Sequence, residues 1–257
     1  AKNHAKYAVT CHSGTQALEL IAAYHYSLVT KTGSPPVVAI PSFTFPATAN
    51  AFIKTGWDVL FMDCNNNGVS EIEYLPRGPV NAIALVGIFG AALSEAWGSE
   101  LSMGKLKDVS VIEDGAQHWL SNKCTRIGTT AISFDPTKNL NNYANGGAIV
   151  TSDPQLFNFA LRAKNNDKSN HYIPGTNSKM GEVDCAQMLV KTRYINDWQT
   201  RRHTIAHYWI DRLRETNIRS LINANNIDSH GLHKFVIETD SRDSVKEKLA
   251  TLKIETK

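Results

Sequence analysis

Three short stretches of this 257-residue chain combine residue types that can do chemistry. The first is SFDPTKNL, residues 133–140, which places Lys138 in a small-residue loop directly after a β-rich run, Thr130–Phe134. A lysine in close-packed chain loses hydration, and desolvation lowers its pKa. The neutral amine is a nucleophile that can condense with an aldehyde. The second is CHSGTQAL, residues 11–18, where small residues open a helix straight after a strand. Backbone N–H groups and the positive end of a helix can hold a phosphate there. The third is VSVIEDGAQHW, residues 109–119, in which Glu113 and Asp114 follow a buried strand. Asp114 is placed to pair with a cationic ring nitrogen. Each stretch alone also has a plain reading: a solvated turn lysine, a Ser13 helix cap, a loop acid.

Taken together, a phosphate cradle, an acid and a loop lysine are the parts that a pyridoxal 5'-phosphate (PLP) site needs. The phosphate anchors the cofactor, the lysine holds its aldehyde, and the acid keeps its pyridine nitrogen protonated as an electron sink.

These residues need a scaffold. Strands are expected at 7–10, 37–40, 58–62, 81–86, 109–112, 130–134 and 147–151. Most are continuous apolar runs, the pattern of strands covered on both faces. Ser13 is expected to cap a helix carrying Ala17, Ile21, Tyr24 and Leu28 at helical spacing, and Thr44 with Pro46 to start another that stops at Gly56. This alternation predicts an α/β fold with a mainly parallel sheet flanked by helices. The three chemical stretches then fall at the C-terminal ends of strands, where open sheets bind ligands.

Beyond about residue 153 the pattern changes. Residues 164–181 are polar and turn-rich, and read as a mobile or functional loop. Residues 182–217 lack Gly and Pro and repeat apolar residues at Val183, Ala186, Val190, Tyr194, Ile205, Trp209 and Leu213, predicting one or two long helices. HKFVIET followed by SRDSVKEKLATLKI reads as strand then helix, the start of a small α+β domain. The expected division is 1–160 for the large α/β domain, 161–181 for an active-site and dimer loop, and 182–257 for long helices with an incomplete small domain. The chain begins on Ala1, amid residues that read as the interior of a domain, so truncation is expected.

Composition narrows the function. A net charge of +3 with scattered Lys and Arg argues against nucleic acid and anionic membrane as partners. The longest apolar run, residues 79–93, is too short and too glycine-interrupted for a bilayer span, and reads as a buried strand with its following loop. Cys11, Cys64, Cys124 and Cys185 show no metal spacing and read as reduced thiols of a cytoplasmic protein. His203 and His207 share a helix face but lack a third ligand, so no metal is expected. No Walker motif or internal repeat is present.

SGTQAL, PSFTFPATANAFIKTGWDVLFMD, VIEDGAQ, SFDPTKNL with GGAIVT, and GTNSKMGEVDCAQM resemble, in that order, the motifs of the DegT/StrS-group sugar aminotransferases. The resemblance runs from Tyr7 to Ile254 and implies a fold-type I PLP enzyme. It implies that Lys138 forms a Schiff base with PLP, that Asp114 pairs with the pyridine nitrogen, and that Gln117 lies by the phenolic oxygen. Gly14, Thr15 and Ser133 would bind the phosphate and Phe45 would stack on the ring. Asn177 would reach the phosphate held by the partner subunit, which implies a homodimer with shared active sites. Three positions depart from the family pattern. Asp135 stands where a His is usual, putting an extra negative charge near the phosphate side. Gly87 stands where the family has a His, and Lys179 where it has an Arg.

The expected function is transfer of an amino group from an amino acid, glutamate by resemblance, to a nucleotide-linked keto sugar. One alternative is a truncated non-catalytic relative that acts only by binding. Another is a PLP-dependent sugar dehydratase, which Lys138 counts against because those relatives carry His there.

Overall fold

The computed structural model describes residues 5–29, 34–94, 96–103, 106, 108–121 and 128–256. Cys124 lies outside the described residues, while Cys11, Cys64 and Cys185 are free thiols.

A seven-stranded mixed sheet forms the centre. Its strands are β1 (Tyr7–Cys11), β2 (Val37–Pro41), β3 (Asp58–Met62), β4 (Ala82–Val86), β5 (Ser110–Asp114), β6 (Thr129–Ser133) and β7 (Gly147–Thr151). They lie in the order β1-β7-β6-β5-β4-β2-β3. The run from β6 to β3 is parallel, and β7 is antiparallel to both neighbours. Each of the seven strands expected before residue 153 is present to within a residue or two.

Alternation along the central strands divides two cores. Val38, Ile40, Ala82, Ala84 and Ile112 face one way, beneath α1 (Gly14–Val29), α2 (Pro46–Lys54) and α4 (Pro154–Ala163). Ala39, Ile83 and Leu85 face the other way, toward Trp97 of α3 (Ala96–Met103). Helices on both faces explain why these strands read as unbroken apolar runs. Leu28 is the exception in α1: it is exposed, at the solvent end of its helix, while Ala17, Ile21 and Tyr24 are buried.

Residues 164–175 form turns organised by one buried carboxylate. Asp167 accepts two hydrogen bonds from Arg162, at 2.7 and 2.9 Å, and the N–H groups of Tyr172 and Ile173. The helical region follows as α5 (Glu182–Lys191) and α6 (Ile195–Leu213). Its apolar repeat is not a core stripe: Val183, Val190, Tyr194, Ile205 and Trp209 are exposed, and Met188 and Ala206 are the buried positions. The expected strand at 233–239 shortens to β9 (Ile237–Glu238), paired with β8 (Arg219–Ser220), before α7 (Arg242–Thr251). No described helix is long and apolar enough to cross a membrane.

Candidate active site

The C-terminal ends of β2, β4, β5 and β6 point to one edge of the sheet, and the end of β1 joins them because β7 reverses between β1 and β6. Gly147 pairs with Cys11 on one side and Ser133 on the other. The start of α1 is thereby set against the end of β6. A Cβ on Gly14 would lie 2.6 Å from the Ser133 Cβ and 3.1 Å from its Oγ. Only glycine lets the helix start approach this closely. Ser13 caps the helix, its Oγ accepting from the Gln16 N–H at 3.1 Å. The N–H groups of Gly14 and Thr15 find no acceptor among the described residues. Together with Ser133 Oγ they make a small anion cradle at a helix N-terminus.

Asp114 ends β5 and is 5% exposed. Its Oδ2 accepts from Thr48 Oγ1 at 2.7 Å and its Oδ1 from the Ala116 N–H at 3.1 Å. Thr48 lies in the first turn of α2, and its N–H bonds to the Phe45 carbonyl at 3.1 Å. Phe45, the residue before the helix, is 63% exposed beside this turn. Three residues beyond the acid, Gln117 Oε1 accepts from the Phe89 N–H at 2.7 Å.

Lys138 is half-buried, and burial lowers its pKa from the ordinary lysine value. The charges of Asp114 and Asp135 oppose that shift and Lys234 adds to it. The Asp114 charge thus reaches Lys138. Asp135 does not turn its charge to the anion cradle. Its carboxylate folds back onto Thr137, accepting from N–H at 2.9 Å and Oγ1 at 2.6 Å, and works on Lys138 and His233.

The residues expected from sequence do not all meet. Gly14 and Ser133 are in contact, Asp114 and Lys138 are electrostatically coupled, and Phe45 and Gln117 are joined to Asp114 through Thr48 and a short loop. Thr15 is exposed on the first turn of α1. Asn177 stands apart, exposed on a segment held to His12 by its neighbour Ser178, whose carbonyl accepts at 2.7 Å.

Several participants carry no linear signal. Thr48 is one. Asn139 is another: its Nδ2 donates to the Gly231 carbonyl at 2.6 Å, tying the lysine loop to the C-terminal third. A third is His118, which is fully buried. Its Nδ1 accepts from the Gly87 N–H at 3.1 Å, and its Nε2 lies 3.6 Å from Glu113 Oε2. A Cβ on Gly87 would lie 2.5 Å from the His118 Cγ. The His118 side chain therefore fills the space that a side chain at position 87 would need.

The sequence matches the DegT/DnrJ/EryC1/StrS aminotransferase family over residues 1–257. The chain belongs to this family. The erythromycin biosynthesis sensory transduction protein EryC1 of Saccharopolyspora erythraea is 28% identical over 97% of the chain and 70% of its own length. A UDP-2-acetamido-2-deoxy-3-oxo-D-glucuronate aminotransferase of Pseudomonas aeruginosa is 26% identical over 98% of the chain and 71% of its length. Among solved structures, DesV of S. venezuelae superposes with a TM-score of 0.87 at 25% identity, covering 99% of this chain and 70% of that one. As a DegT/DnrJ/EryC1/StrS aminotransferase the protein has the fold-type I architecture and takes PLP as its cofactor. The cradle that a Cβ at Gly14 would fill, the buried Asp114 carboxylate and the desolvated Lys138 suit that group.

Proposed function

We propose that the protein moves an amino group from an amino acid, glutamate in the first instance, to a nucleotide-linked keto sugar. The observation that carries this reading is the coupling of Lys138 to Asp114 at the sheet edge, with the anion cradle at Gly14 beside them. In this reading Gly14, Thr15 and Ser133 hold the PLP phosphate, Lys138 holds the aldehyde carbon and Phe45 covers the ring. Bound there, PLP supplies a pyridinium ring that draws electrons from the carbon bearing the amino group.

The chain's own groups do the rest. Thr48 and the Ala116 N–H fix the Asp114 carboxylate, so its charge is ready without reorganisation. The Phe89 N–H occupies Gln117 Oε1, so the amide NH2 is the end left to donate to a phenolic oxygen. Burial lowers the pKa of Lys138, so Nζ is more readily neutral and can take the proton from the donor α-carbon and return one.

The reading includes a homodimer in which Asn177 serves the site of the partner subunit, supported by exposed Phe43, Phe45 and Tyr143 around the sheet edge. It also includes the domain division at residues 160 and 181 and a cytoplasmic location, which the free thiols support. A second reading, binding without turnover, draws on the regulatory name of EryC1. One experiment separates them: load the protein with PLP, record the visible band, then add glutamate. Bleaching of the band supports transamination; a band that survives every amino donor supports the second reading. A band identical in Lys138→Ala refutes both as written.

A further inference from the structure

The C-terminal segment 230–235 lies as a strap against the active site. The Gly231 N–H donates to the Gly90 carbonyl at 2.6 Å and the Lys234 N–H to the Phe89 carbonyl at 3.0 Å. The Gly231 carbonyl accepts from Asn139 Nδ2 at 2.6 Å and Gln199 Nε2 at 2.9 Å. His233 Nδ1 lies 3.3 Å from Asn139 Oδ1. The strap is thus bonded to the neighbour of Lys138 on one side. On the other it is bonded to Phe89, whose N–H is held by Gln117. Phe89 and Leu232 have positive φ, at 58° and 51°, so this crossing holds strained backbone that its hydrogen bonds must fix.

The strap brings cations with it. Lys234 is half-buried, and its ammonium meets no hydrogen-bond acceptor or carboxylate among the described residues. Arg202 Nη1 makes one long bond, 3.4 Å to the Leu232 carbonyl, and no ion pair among the described residues. Asp135 is the acid facing this patch, and its carboxylate is already engaged by Thr137. Asp114 is engaged by Thr48 and Ala116. His233 adds no charge, since burial and the three cations Lys138, Lys234 and Arg202 hold its pKa at about 3. Lys234 and Arg202 are therefore the cations of this patch that no carboxylate among the described residues pairs. Ile88, Phe89, Leu221 and Val236, with the polar Asn67, Asn226 and His230, line the space beside Lys234.

We propose that Lys234, with Arg202 as a second cation of the same patch, receives the carboxylate of the amino donor. This rests on the aminotransferase reading and adds a residue to it. An amino acid reacting beside Lys138 must bring its α-carboxylate to within a few bonds of the reacting nitrogen, and the cofactor phosphate is placed elsewhere, at the start of α1. A phosphate of the nucleotide-linked sugar has similar chemistry, so the test separates the two.

The test compares wild type, Lys234→Met and Lys234→Arg, each loaded with PLP. Maleate, an unreactive dicarboxylate, is titrated by calorimetry, and each half of the transamination is followed separately. Lys234→Met is expected to bind maleate roughly 10- to 100-fold more weakly. Its KM for glutamate should rise by a similar factor, while kcat, the visible cofactor band and the KM for the nucleotide-linked sugar stay as in wild type. Lys234→Arg should stay within about threefold of wild type, since it keeps the charge. A rise in the sugar KM in place of the glutamate KM would overturn the proposal and assign the patch to phosphate. Wild-type behaviour of Lys234→Met would overturn it, as would loss of the visible band in that variant alone, which would place Lys234 in cofactor attachment. A wild type that forms no band refutes the aminotransferase reading itself and the donor assignment with it.

Discussion

Thr48→Val removes one oxygen from the site and keeps the side-chain shape. Thr48 is fully buried, and its only hydroxyl proton is directed at Asp114 Oδ2, 2.7 Å away. Thr44 must therefore be the donor in its own 2.8 Å contact with Thr48. Valine takes a donor from a carboxylate that is 5% exposed and leaves Thr44 without its acceptor. A hydrogen bond to a charged group is worth about 1.5–3 kcal/mol. For a chain of this size each kcal/mol moves Tm by about 2–4 °C, so a fall of roughly 3–12 °C is expected in the cofactor-free protein. The freed carboxylate also loses its fixed aim, so PLP should bind more weakly, as read by titration of the visible band. Thr48→Ser keeps the hydroxyl and should recover most of both losses. A Thr48→Val protein with unchanged Tm and unchanged PLP affinity would refute the claim that Thr48 positions Asp114.

Gly14→Ala should cost about 1–3 kcal/mol through overpacking against Ser133. It should also weaken PLP binding, and Ser133→Gly in the same chain should relieve part of the stability loss; equal stability of Gly14→Ala and wild type by denaturant titration would contradict the close approach. The buried His230 and His233 have pKa values pushed down to about 4 and about 3, first of all by desolvation. A lowered pKa means that the unfolded chain takes up these protons first as pH falls. The stability concerned is intact above pH 6.5 and drains away toward pH 4, by at most about 1.4 kcal/mol per pH unit for each histidine. Denaturant titrations between pH 7 and 4 should show this loss, with a shallower slope in His233→Asn; a flat profile in wild type contradicts it.

The sheet was legible because its strands are buried on both faces. VVAI, NAIALV and GAIVT have no polar alternation to confuse them, and the turn residues that follow carry the chemistry. The order of Gly14, Asp114 and Lys138 along the chain was legible for the same reason, since each follows a strand end. Other features depend on contacts between distant segments. Thr48 lies 66 residues from the carboxylate it holds. The packing of His118 over Gly87 is visible only once their backbones are side by side. In α5 and α6 apolar spacing predicted the helices, yet Val183 and Tyr194 are exposed, because periodicity marks a face without saying what covers it. HKFVIET shortened to two strand residues because the Lys234 N–H near its start bonds to Phe89 in place of a ladder partner.

The central claim is that one amine, on Lys138, reacts with the cofactor aldehyde opposite Asp114. Borohydride reduction of the PLP-loaded protein, followed by digestion and mass spectrometry, reads the attachment point directly. The account predicts a phosphopyridoxyl group on the peptide that carries Lys138. The same group on the Lys234 peptide, or no stable adduct on any lysine, would contradict it.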